Sequence, residues 1–187
     1  MAVWQFQVYF IPRRSLMEKY GKLPSKLEMD DDAWSNYIQD SDLESKPKFE
    51  DALTIPWWLN IKLDINEVFT DLKKFGDLQE WSANVEGLKS YGQPDSNDIS
   101  ACFDSQTNAL EDLSCRIDVR KVEQEFIEQV ISLALKYDCL LLDKKGNLYE
   151  PTNDNIFKAI RISNAKRFAN DPGQFLDDLS LGKVKPE

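Results

Sequence analysis

Hydrophobic and polar positions alternate over residues 3–11 (VWQFQVYFI). Trp4, Phe6, Val8 and Phe10 fall on one side, and Gln5, Gln7 and Tyr9 on the other. A period of two is that of a strand with one buried face, and Pro12 ends it. Ser15 and Glu18 have the S-x-x-E spacing of a capping box, which predicts a short helix through Tyr20 stopped by Gly21. Asp31 or Asp32 is placed to cap a second short helix carrying Trp34, Tyr37 and Ile38 on one side. The polar run 39–51 reads as an exposed loop. Asp64 heads the sequence D-I-N-E and opens a helix with Ile65, Val68, Phe69 and Leu72 on one face, ending near Gly76. From 77 to 91 the pattern is ambiguous, because Trp81, Val85, Leu88 and Tyr91 are spaced as in a helix or in irregular packing. Residues 92–98 form a turn-rich loop.

The second half alternates more cleanly. Residues 99–104 and 113–120 predict two antiparallel strands joined by a polar stretch. In the second strand Leu113, Cys115, Ile117 and Val119 point inward, and Ser114, Arg116, Asp118 and Arg120 outward. Val122, Phe126, Val130, Leu133 and Tyr137 recur on one face of a helix over 121–137. Leu140–Leu142 reads as a buried strand, 144–147 as a tight turn and 148–150 as its hairpin partner. Thr152 caps a long helix to about Ala169, and Asp171 with Pro172 begins a last turn before a loose tail. The elements sum to an α+β fold, a mainly antiparallel sheet of four or five strands with helices packed on one face. Residues 1–187 make a single domain with an acidic, loop-rich insertion at about 28–56.

Charge sharpens that last feature. The chain carries 33 acids and 23 bases, a net charge of −10. Residues 28–56 hold nine acids (Glu28, Asp30, Asp31, Asp32, Asp40, Asp42, Glu44, Glu50 and Asp51) against Lys46 and Lys48, a local charge of −7. This balance argues against nucleic acid and anionic membrane surfaces and favours a basic protein partner. The opening MAVWQFQVYFIPRR puts its arginines after the apolar run, the reverse of a secretory signal. No window reaches the ~20 apolar residues of a membrane helix. Cys102, Cys115 and Cys139 each sit in an apolar run, as free thiols packed in a reducing compartment would. The expectation is therefore a cytoplasmic, bacterial protein.

Candidate chemistry is sparse. The chain has no histidine, which excludes Ser-His and Cys-His nucleophile pairs and histidine metal sites in their usual forms. No spacing selects a catalytic residue, a cofactor or a metal site. Asp30-Asp31-Asp32 could offer oxygens to Mg²⁺ or Ca²⁺, but solvated acids at a helix start are the plainer reading. Asp95-Ser96-Asn97-Asp98 begins like a calcium loop, yet Ser100 and Gln106 stand where the glycine and glutamate belong. Arg116, Asp118 and Arg120 form a row on one strand face, either a self-satisfied surface ladder or an anion site. Trp57 and Trp58 follow Pro56. On extended backbone one would be core and the other exposed as an interface anchor, with Trp34, Tyr37 and Trp81 able to join it.

Three functions fit. The first is an acidic protein-interaction module that holds a basic partner through Asp30, Asp31, Asp32, Trp34, Trp57 and Trp58. In size and charge, and in no motif, the chain is similar to small acidic bacterial immunity proteins, which occlude a toxin's basic active site. The second is a carboxylate-based, metal-dependent hydrolase or transferase. The third is a regulatory domain that binds an anion at Arg116 and Arg120. A homodimer through an unprotected sheet edge is a further expectation.

Overall fold

The computed structural model describes residues 4–40 and 47–184, without the side chains of 38–40. Ile38's predicted inward side chain, the loop at 41–46 and the tail from Lys185 lie outside the described residues. The fold is α+β, with one six-stranded sheet in the order β2-β3-β4-β1-β5-β6. The strands are β1 (Gln5–Pro12), β2 (Leu88–Gly92), β3 (Asp98–Phe103), β4 (Leu110–Asp118), β5 (Cys139–Asp143) and β6 (Leu148–Tyr149). All neighbours pair antiparallel. Three hairpins supply most of these pairs, and β1 is inserted between β4 and β5, where its apolar side chains are covered.

Register carries the alternation across the sheet. Val8 lies opposite Cys115, Cys115 opposite Ile99, and Ile99 opposite Tyr91. Phe6 meets Ile117, and Phe10 meets Leu141. This apolar face is covered by α3 (Ile65–Leu72) and α5 (Gln124–Lys136), which bury Val68 and Leu72, and Ile127 and Val130. Aromatic edges lock the layer, with Phe69 on Phe103 at 5.2 Å and Phe75 on Phe126 at 5.4 Å. Each large side chain fully buried here contributes ~1.5–3 kcal/mol.

Several elements differ from expectation. The sixth strand is β2, whose Leu88 and Tyr91 share the three-residue spacing of a helix. Gly87 and Gly92, both at positive φ, bound a five-residue strand there. Ser15 caps nothing: α1 (Arg13–Tyr20) starts directly after Pro12, the Ser15 hydroxyl donates to the Trp57 carbonyl, and Glu18 pairs with Arg14. The long helix after Thr152 is two, α6 (Asn153–Ile162) and α7 (Asn164–Asn170). Ser163 takes an extended conformation between them and caps the second by accepting from Lys166 N. The last turn is a full helix, α8 (Pro172–Ser180). Two short helices, α2 (Asp31–Asp40) and α4 (Glu80–Ala83), complete the set.

Both sheet edges are engaged by the chain itself. Outside β6, Leu27 N donates to Gly146 O and Leu148 N to Ser25 O. A Cβ at Gly146 would stand 2.3 Å from the Leu27 carbonyl, so that approach requires glycine. Outside β2, Gln79 N donates to Ser90 O and Gly92 N to Asp77 O. These bonds occupy the backbone that a strand-paired dimer would use at those positions. No helix among the described residues is long and apolar enough to cross a membrane.

Candidate functional site

The acidic insertion folds around one carboxylate. Asp30, rather than Asp31 or Asp32, caps α2, accepting from Ala33 N at 2.8 Å while its carbonyl accepts from Trp34 N at 3.0 Å. Asp51 is 3% exposed and serves as the anchor of the segment. It accepts from Trp34 Nε1, from Asp30 N at 3.3 Å and from Leu53 N at 2.8 Å. Trp34 stands edge-on to Phe49 at 5.1 Å and to Tyr37 at 5.8 Å. With Asp30 and Asp51 so committed, Asp31 and Asp32 project from the first turn into solvent, where the helix dipole favours them.

These acids line a cleft of about 1010 Å³ together with Glu28 and Glu50. Lys26, the β5–β6 turn residues Lys144 and Lys145, and Arg167 of α7 line it as well, as do the apolar Leu27, Met29 and Val184. Arg167 is paired with Asp178 at 3.1 Å, and Lys145 Nζ donates to Ile162 O at 3.2 Å. Arg167 and Lys145 thus have partners of their own, while Asp31 and Asp32 are exposed at the start of α2.

Trp57 and Trp58 are both packed inside, where one core and one exposed indole were expected. After Pro56 the backbone turns, with Leu59 N bonded to Pro56 O and Ile61 N to Trp58 O, so the alternation of an extended chain does not apply. Both indoles are buried, at 5% and 1% exposure. Trp57 Nε1 donates to Ala52 O at 2.7 Å, and Trp58 packs edge-on against Tyr137. They are core, and they fix the chain between the acidic segment and α3.

The row Arg116, Asp118, Arg120 is a set of internal pairs rather than an open anion site. Arg116 holds Asp98 bidentately, through Nε at 2.8 Å and through Nη2. Arg120 holds Asp118 with Nε at 2.9 Å and Nη2 at 2.6 Å, and stacks over Trp4 at 4.4 Å. Burial drives Asp118 upward, but the bonds from Arg120 outweigh it and leave the carboxyl below its usual range. Burial prevails at Asp98, which lies above its usual range despite Arg116. The residues read as a partial calcium loop are likewise occupied: Asn97 Oδ1 accepts from Asp118 N, and Asp98 belongs to Arg116. Among the described residues no three His, Cys, Asp or Glu side chains come together as a metal could use.

One polar constellation was invisible along the chain. On the sheet face opposite α3 and α5, Tyr9, Ser114, Ser100 and Ser90 lie in register across four strands. Ser100 Oγ donates to Ser90 Oγ at 2.9 Å. Beside the row, burial raises the Asp112 carboxyl to about 6 against bonds from Ser114 and the Leu113 backbone. Burial also pushes the Tyr9 phenol up, reinforced by Asp112 and Asp51, and lifts the Cys102 thiol to about 11. Buried Gln7 Oε1 has no hydrogen-bond partner among the described residues. Each strand's outward residues follow from its own alternation, but the row exists through register, which no single segment encodes.

No protein family, curated protein or solved structure matches the chain.

Proposed function

We propose that this protein is an acidic interaction module that holds a basic partner protein at the α2 edge of the cleft, in the manner of an immunity-type inhibitor. The observation that carries the reading is the division of labour within the acidic segment. Asp30 and Asp51 are spent on capping α2 and fastening Trp34, and this fixes Asp31 and Asp32 as exposed charges beside Glu28 and Glu50. Exposed charges at a helix start attract a cationic partner over long range and favour it over an acidic one. The anion-binding reading weakens because both arginines already hold carboxylates.

The test is charge reversal at the two acids that make no capping bond. Association with the partner is expected to weaken as salt rises. D31K/D32K is expected to bind at least tenfold more weakly, with a shallower salt dependence. Equal affinity and equal salt dependence in the two proteins would overturn the proposal.

A further inference from the structure

A second cavity, of about 570 Å³, opens where three other segments of the chain meet, and none of its lining belongs to the acidic segment. It is lined by Pro12 and Arg14 at the start of α1, by Asn60, Ile61 and Lys62, and by Tyr137 and Asp138 after α5. Backbone bonds fix this meeting point. Arg13 N donates to Asp138 O at 2.9 Å, and Ile61 N donates to Trp58 O at 2.9 Å. The Tyr137 ring is held as well. Its hydroxyl donates to Asp71 Oδ2 at 2.7 Å, and the buried Trp58 packs edge-on against it at 6.3 Å.

The lining runs against the charge of the chain. In a molecule of net charge −10, this cavity carries two cations, Arg14 and Lys62, against one acid, Asp138. That acid is engaged by Arg13 Nε at 3.2 Å, from a residue that does not line the cavity. Arg14 meets Glu18 through Nε alone, at 2.7 Å, in an exposed pair four residues apart. Exposed pairs of this kind contribute little and are easily exchanged. The two terminal nitrogens of Arg14 and the side chains of Lys62 and Asn60 make no hydrogen bond or ion pair among the described residues. Paired guanidinium nitrogens bind a carboxylate through two parallel bonds. Pro12, Ile61 and the Tyr137 ring add apolar surface to the same cavity. A cavity of this size, with a few polar groups among apolar ones, has the usual form of a small-molecule site.

We propose that this cavity binds a small organic acid, a carboxylate carried on an apolar body. Arg14 and Lys62 hold the carboxylate, the Asn60 amide donates to it, and the body lies against Ile61 and the Tyr137 ring. The proposal goes beyond the α2 reading and uses none of its residues. It also moves anion recognition away from Arg116 and Arg120, whose guanidinium groups already hold carboxylates.

The probe is phenylacetate, with phenylacetamide as its neutral counterpart and acetate as the charge without the body. Each is titrated into the isotope-labelled full chain and into R14A, K62A and D31K/D32K, and followed by backbone amide shifts. Arg14 and Lys62 are exposed, so the spectra of R14A and K62A away from the cavity are expected to match wild type. The expected result is saturable binding of phenylacetate that shifts Arg14, Ile61, Lys62 and Asp138. Affinity is expected to fall about tenfold in R14A and in K62A and to be unchanged in D31K/D32K. Phenylacetamide and acetate are expected to bind far more weakly. Equal affinity in wild type, R14A and K62A would overturn the site, as would shifts that saturate elsewhere in the chain. Equal binding of phenylacetamide would overturn the charge selection. Equal binding of acetate would overturn the apolar half of the site and leave a surface ion only. No saturable shift at any soluble concentration of phenylacetate would overturn the proposal and leave the α2 edge to its own salt test.

Discussion

Two carboxylates of opposite character show what burial does to one residue type. Asp112, raised to about 6 from an ordinary 3.8, binds its proton more tightly in the folded chain than in the unfolded one. Stability therefore falls as pH rises from about 4 to 6, and the cost persists above that window. D112N keeps a neutral side chain at the same place. Its stability is expected to exceed wild type at pH 7.5, by about 2 kcal/mol at ~1.4 kcal/mol per pKa unit once partial exposure is allowed for, and its thermal midpoint to lie higher. The two proteins are expected to converge near pH 4; thermal melts across pH 4–8 check this. Asp71 runs the other way. Burial pushes it up, but Lys136, Lys74 and Tyr137 all donate to it and bring it down to about 2. Its stabilisation is complete above about pH 4 and is lost as pH falls from 4 toward 2. D71N is expected to cost about 1–3 kcal/mol at neutral pH, read as a shift in urea midpoint.

At the scale of elements, the acidic segment depends on its anchor more than on its helix. Asp51→Ala releases Trp34 Nε1, Asp30 N and Leu53 N together. It is expected to cost about 2–3 kcal/mol and to open the 47–56 segment to protease before the sheet unfolds. Gly92 is an equally sharp point. Its φ is 100°, and an added Cβ would lie 2.6 Å from the Asn97 carbonyl, so G92A is expected to lower the melting midpoint and loosen α4 from β2. How far such elements were legible varies. The helix opened by Asp64 and the alternation of β1 and β4 followed directly from spacing, because local pattern and tertiary burial agree there. Ser15 misled because its hydroxyl reaches Trp57, 42 residues away, and β2 misled because its apolar spacing suited two structures. The inward turn of Trp57 and Trp58 depends on loop backbone bonds that side-chain pattern does not express. Asp51, the organising residue of the candidate site, was counted among surface charges, since nothing in a run of acids marks the one that will be buried.

For the whole molecule, the sheet fixes where charge and aromatic surface emerge. The apolar face is closed by α3 and α5, and segments of the chain pair along both edges. What remains outward includes the α2 acids at the cleft and Trp81 on α4. A net charge of −10 gives long-range attraction for a cationic protein and repulsion between copies of this one. The most direct measurement is capture from the source organism's lysate by immobilised wild type and D31K/D32K in parallel, with stepwise salt elution and mass spectrometry of each fraction. The account predicts one basic protein retained by wild type, released as salt rises, and absent from the D31K/D32K eluate. A retained protein that is acidic, that resists salt, or that D31K/D32K holds equally well would contradict it, as would an empty wild-type eluate.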